Sequence, residues 1–167
     1  MTIKDKITGF FKWTGEFSIF ASRFWSSLFK KKQETDVFLH QCYVVGYHSA
    51  GLVGLTGFIL GLVLTMQLRP TMIEYGVESQ IPAIVGISII REIGPVITAL
   101  IFAGKVGSGI GAELGSMRVT EQIDAMEVSG ANPFRYLIVT RIMACTLMLP
   151  ILVLFSDAIS LTGSWVG

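Results

Sequence analysis

The chain has 167 residues, 51% hydrophobic and only 15% charged, with mean hydropathy +0.64 and a formal net charge of +1. Soluble domains carry about a quarter of their residues as charges, so this balance excludes an ordinary soluble fold and points to a polytopic membrane protein. Near-neutral net charge leaves no broad positive field, which argues against nucleic acid as a partner.

The charge is segregated along the chain. Seven of the 13 Lys and Arg residues precede position 40, and Lys30, Lys31 and Lys32 cluster ahead of the first long apolar run. The two cysteines, Cys42 and Cys145, sit in or beside apolar segments without partner spacing and read as packing residues. The N-terminus alternates charge with aromatics and lacks the compact apolar core and small-residue cleavage site of a secretory signal.

Residues 3–29 read as one amphipathic helix. Ile3, Ile7, Phe10, Phe17, Phe20, Phe24 and Leu28 recur at three- and four-residue steps, and Phe11, Trp13, Trp25 and Phe29 widen that face. Lys4, Lys12, Glu16, Arg23 and Ser26 fill much of the remainder, too polar a face to span a bilayer. An aromatic face flanked by lysines suits a helix lying in the membrane interface near anionic headgroups. The bland alternative is a helix of a soluble core.

The first span is expected at residues 44–68, long enough for a hydrocarbon core of roughly 30 Å. Gly46, Ala50, Gly54, Gly57 and Gly61 place small residues on one side, where another helix can approach closely. Residues 69–80 read as a short polar connection, with Pro70 ending or kinking the helix and Pro82 suiting the first turn of the next. Spans two and three are expected at residues 81–103 and 136–160, the last interrupted by Pro150 and carrying Asp157. Residues 104–135 connect them. Lys and Arg concentrate in the N-terminal segment and around that connection, at Lys105, Arg118, Arg135 and Arg141, while the 69–80 loop holds only Arg69. The positive-inside rule therefore places the N-terminus and the 104–135 connection in the cytoplasm.

Arg91-Glu92 falls near the middle of the second span, where an ionisable group costs about 3 kcal/mol or more and normally faces a cavity or a partner. Arg91 suits a lipid phosphate or a carboxylate on another helix. Glu92 suits a cation on a further span. A purely structural ion pair is the alternative. Next, Ala103, Gly107, Gly111 and Gly115 step by four beside Ser108, Ala112 and Ser116, a helix that two neighbours could pack against. No Walker A motif is present, because Val106 follows Gly104-Lys105 and Ala99 stands where the first glycine belongs. The Gly107-to-Ala112 run fits a relaxed Gly-x-Gly-x-x-Ala pattern, but it follows a long apolar run rather than a strand, so it does not mark a dinucleotide site.

Residues 120–128 read as a short helix. Thr120 is placed to cap it, Ile123, Met126 and Val128 lie on its apolar side, and Glu121, Asp124 and Glu127 lie on the other. Gly130 and Asn132-Pro133 stop it. Asp124-Ala125-Met126 followed by Gly130 loosely resembles the Glu-Ala-Ala-x-x-x-Gly loop by which ABC importer permeases dock on their ATPases; the alternative is an ordinary solvated helix. His40 and His48 lack metal-like spacing, and no Ser/His/Asp or Cys/His constellation occurs.

The REIGP, FAGKVGSG, AELGSMRVTEQIDAMEV and NP segments between Arg91 and Pro133 together resemble, in order and spacing, the signature region of the MlaE (YrbE-type) permeases. These are membrane subunits of ABC transporters that move phospholipids in Gram-negative envelopes. The resemblance implies an all-α polytopic fold with an N-terminal interfacial helix, three transmembrane helices here and about five in the complete fold, so that a C-terminal part is expected beyond this sequence. It implies that Arg91 and Glu92 form a polar cluster near the lipid site. Leu64, Gln67, Leu68, Thr71, Met72 and Tyr75 would line one wall of the lipid cavity. The stretch from Ala112 to Ser129, with Glu113, Arg118, Glu121, Asp124 and Glu127, would couple to the ATPase. It further implies no catalytic site, metal or cofactor in this chain, with ATP bound and hydrolysed by a separate subunit. The implied partners are phospholipid, a second copy of the chain, an ABC ATPase, a periplasmic MCE-domain protein and a small STAS-domain protein. The implied place is the bacterial inner membrane, and the implied role is maintenance of outer-membrane lipid asymmetry. A scaffold that anchors a cytoplasmic partner without transport is the competing function.

Overall fold

The computed structural model describes residues 3–28, 35–130 and 132–167. Expectations for the side chains of Ile3, Lys4, Ile7, Phe10, Phe11 and Leu28, and for Phe29 and Lys30 to Lys32, lie outside the described residues. Helix α1 covers Ile3–Leu28, following its apolar period. Trp13, Phe17 and Trp25 remain 61–66% exposed, and the Trp13 and Phe17 rings stack with centroids 6.1 Å apart. Phe20 meets Phe134 edge-on at 5.4 Å, which ties α1 to the start of the third span.

Helix α2, Thr35–Glu74, exceeds the expected span at both ends and runs through Pro70. A proline this close to a C-terminus forfeits one hydrogen bond without breaking the helix. The stop comes instead at Gly76, whose φ of 68° favours glycine. Val77 N–H bonds Met72 O and Gly76 N–H bonds Ile73 O, both at 3.0 Å, closing a Schellman turn.

The second span departs most from expectation. A single run, Glu78–Val119, continues for 42 residues. It comprises a 3-10 turn, Glu78–Gln80; helix α3, Ile81–Ser88; a π turn, Ile89–Ile93; and helix α4, Gly94–Val119. The expected boundary at residue 103 is absent, since a glycine-rich but uninterrupted backbone can still complete its ladder. At 1.5 Å per residue the run is about 63 Å long, roughly twice a hydrocarbon core. The π turn has a local cause. Pro95 has no N–H for the carbonyl of Arg91, and its ring crowds that carbonyl, so the preceding turn widens.

Glu121, in the left-handed conformation with φ 54° and ψ 18°, turns the chain into α5, Gln122–Val128. The short helix is present, but Thr120 does not cap it. Its hydroxyl donates back to Ser116 O at 2.9 Å. Ile123 and Met126 are half-buried as expected, whereas Val128 is 89% exposed. Gly130, at φ 79°, ends the helix as its sequence position predicts. A second π turn, Phe134–Val139, leads into α6, Thr140–Val166, which passes through Pro150.

The α2–α6 pair forms the main seam. A methyl group on Gly57 would stand 2.9 Å from both Ser156 Oγ and Ser160 Oγ. On Gly61 it would overlap Ser160 O, and on Gly163 it would overlap Phe58 O. These glycines let two backbones touch, as packing between lipid-embedded helices requires. Residue pairs increase together along α2 and α6, so these helices run parallel. Helix α4 runs antiparallel to α6, with Gly94 at Asp157 and Glu113 at Arg141. Val45, Phe102, Val106 and Leu152 form the buried core between the three. The glycine ladder of α4 is different. A methyl group at Gly104, Gly107, Gly111 or Gly115 would meet no atom within 4 Å, so the expected two-sided packing is not made among the described residues.

Candidate functional site

Arg91 and Glu92 occupy the π turn, and both are exposed. Arg91 lies ten residues beyond Ile81, about 15 Å along the helix from the start of α3. Leu64 lies ten residues before the end of α2 at Glu74, and so at a similar depth on the neighbouring span. Among the described residues neither Arg91 nor Glu92 forms an ion pair with any other group. Two charges are thus presented on a widened turn with their hydrogen-bonding capacity unused by the described residues. A guanidinium in that state can take a phosphate or carboxylate with two parallel N–H···O bonds.

The six residues expected along the cavity wall follow one another down the C-terminal third of α2. Leu64, Leu68 and Met72 are half-buried, while Gln67, Thr71 and Tyr75 are exposed, Tyr75 at 73%. They form a strip with an apolar edge and a polar edge. Helix α2 touches α3, next to the π turn, but no bond joins the strip to Arg91 or Glu92. The C-terminal part of α2 is fastened to α6 by Thr65, whose hydroxyl is 3.3 Å from Ser164 O as well as 2.9 Å from Gly61 O of its own helix.

At the other end, the coupling candidates divide. Arg118, Glu121, Asp124 and Glu127 are exposed around α5. Glu113 instead accepts from Arg141 Nη2 at 2.6 Å, and the side chains are 49% and 4% exposed respectively. Helix α5 sits over an apolar cavity of about 460 Å³ whose lining includes Leu114, Ile123, Phe134, Leu137 and Ile138. Arg118 and Glu127 also border it. Helix α5 packs directly on α4, and the cavity separates it from the start of the third span.

The 91–133 signature region thus holds part of the π turn, a long helix, a left-handed joint and a short helix packed on α4. A match to the Permease MlaE family model covers residues 38–167. The chain belongs to the MlaE permease family. Its relatives include a "Probable ABC transporter permease protein" of Rickettsia felis, 36% identical over 151 residues, which cover 90% of this chain and 58% of that protein. A protein of the same description from Synechocystis is 41% identical over 128 residues, covering 77% of this chain and 49% of that protein. One from Pyropia yezoensis is 38% identical over 156 residues, covering 92% and 58%. This MlaE-family chain therefore spans about half to three-fifths of the length of these relatives. Among the described residues, three helices are long and apolar enough to cross a membrane.

Sequence reasoning missed three residues. Arg141 enters it only as a flanking cation, yet it is buried and bonded to Glu113. Asp157, noted only as lying in the third span, and Thr98 are buried with side-chain oxygens that lack hydrogen-bond partners among the described residues. The rule that singled out Arg91 and Glu92, a charge inside an apolar run, would also have flagged Arg141 and Asp157.

Proposed function

We propose that this permease moves phospholipid between the inner and outer membranes and so maintains outer-membrane lipid asymmetry. The carrying observation is the exposed Arg91-Glu92 pair on the π turn within the second span. A lipid phosphate satisfies the guanidinium, and acyl chains suit the Leu64, Leu68 and Met72 edge of the neighbouring span. Gln67, Thr71 and Tyr75 supply polar contacts toward the outer end.

In this reading ATP is hydrolysed by a separate ABC ATPase that docks on α5, and the chain itself carries no catalytic site or cofactor. The transporter works as a homodimer with a periplasmic MCE-domain protein and a STAS-domain partner, in the bacterial inner membrane with a cytoplasmic N-terminus. The Phe20–Phe134 contact supports that orientation, because it keeps α1 beside the basic connection. The test is reconstitution of the assembled complex in liposomes. ATP-dependent phospholipid transfer to acceptor vesicles is expected, together with hydrolysis stimulated by phospholipid. Hydrolysis indifferent to lipid, with no transfer, would overturn the reading in favour of a scaffold.

A further inference from the structure

Asp157 is 7% exposed within the third span, and its Oδ1 has no hydrogen-bond partner among the described residues. It faces Gly94, the residue that closes the π turn. Gly94 N–H bonds Ile89 O across that wide turn. A methyl group on Gly94 would overlap Asp157 Oδ1 and lie 2.8 Å from Ile89 O. The glycine is therefore required twice, by the turn's own carbonyl and by the carboxyl pressed against it. One helical turn further on, Thr98 Oγ1 is also buried and unpartnered among the described residues. Gly57 and Gly61 of α2 lie against Ser156 and Ser160, neighbours of Asp157 on α6.

An unpaired carboxyl in a lipid-embedded bundle is costly, and an apolar side chain would fill the same space at lower cost. Its position suggests what it does. Pro95 widens the turn but does not determine which residues it includes, since a π turn can migrate along a helix by one residue. Such a shift turns the residue that the bulge passes by about 100° relative to the rest of the helix. With Asp157 wedged at Gly94, the turn is held at Ile89–Ile93, and Arg91 and Glu92 both stay on the exposed side.

We infer that Asp157, packed on Gly94, is a positioning residue that fixes the register of the π turn and so aims Arg91 and Glu92. Its bearing on transport rests on the proposal that Arg91 faces lipid, but its effect on the turn does not. The experiment uses the assembled transporter with Cys42 and Cys145 replaced by Ser. Single cysteines are placed as Arg91→Cys or Glu92→Cys, and their labelling rates by a charged thiol reagent are compared in membranes. In parallel, lipid-stimulated hydrolysis is measured with Arg91 and Glu92 intact.

Asp157→Asn, which keeps the shape, is expected to leave the labelling ratio and hydrolysis within about twofold, whereas Asp157→Ala and Gly94→Ala each change the ratio and lower hydrolysis about tenfold. Asp157→Ser stands in for Ala if the latter does not assemble. An unchanged ratio in assembled Asp157→Ala, Asp157→Ser or Gly94→Ala overturns the inference, as does a tenfold shift in Asp157→Asn. Reduced yield with an unmoved ratio marks a merely structural role and counts against it equally. If Arg91 proves irrelevant to lipid, the labelling ratio still decides whether Asp157 holds the turn.

Discussion

Arg141 Nη2 donates to Glu113 Oε1 at 2.6 Å, joining the C-terminal part of α4 to the first turn of α6. Arg141 is buried and its Nη1 has no partner among the described residues, while Glu113 is half-exposed. Removing Glu113 leaves a buried cation without compensation. Glu113→Gln is expected to cost about 1–3 kcal/mol, below the usual range for a fully buried pair because solvent reaches the carboxylate. Replacing both residues by Met should recover most of that loss. Thermal unfolding of the single and double variants in detergent checks it; additive losses would show that the two side chains do not act together.

The glycines make a contrast that stability measurements can read. Gly61→Ala and Gly163→Ala drive a methyl group into the backbone of the facing helix and should lower the yield of folded protein, at a cost of about 1–3 kcal/mol or more. Gly104→Ala meets open space in a helix interior. Alanine is favoured there by about 1 kcal/mol, so this change should be neutral or stabilising in the monomer. A loss at Gly104 equal to that at Gly61 would mean that the exposed ladder is covered in the folded protein.

Much of this architecture is legible in the sequence because it is written locally. The three apolar runs, the aromatic period of α1 and the Gly130 stop each depend on neighbouring residues. The misses are non-local or depend on hydrogen-bond detail. The ladder from Ala103 to Ser116 reads as a helix, but the span is expected to end at residue 103, whereas one unbroken run continues to Val119. The seam of Gly57 and Gly61 differs from the ladder of Gly107 and Gly111 only in what lies opposite, which spacing cannot report. The π turn follows from the N–H missing at Pro95, and its link to Asp157 comes from another span.

Helix α1 should lie on the membrane surface. Spin labels replacing Phe17 and Phe24 are expected to report lipid contact, and one at Lys12 to report water. Equal water access at all three positions would contradict the interfacial placement.

Glu121 holds a left-handed conformation that costs a non-glycine residue about 1 kcal/mol. Glu121→Gly should therefore be neutral or stabilising by thermal unfolding, while Glu121→Val should destabilise. Reversing charge on the same face, with Glu121→Lys and Asp124→Lys together, should weaken ATPase docking about tenfold without changing membrane insertion. Co-purification of the ATPase alongside membrane expression reads both. Undiminished docking would move the coupling contact to the Ala112 to Met117 side.

The central claim is that Arg91 holds a lipid phosphate, and phospholipid transfer by the assembled transporter carrying Arg91→Ala tests it most directly. The account predicts loss of about tenfold or more with assembly intact, and only partial recovery in Arg91→Lys, because a point charge replaces a two-bond fork. Full transfer by an assembled Arg91→Ala transporter would contradict it.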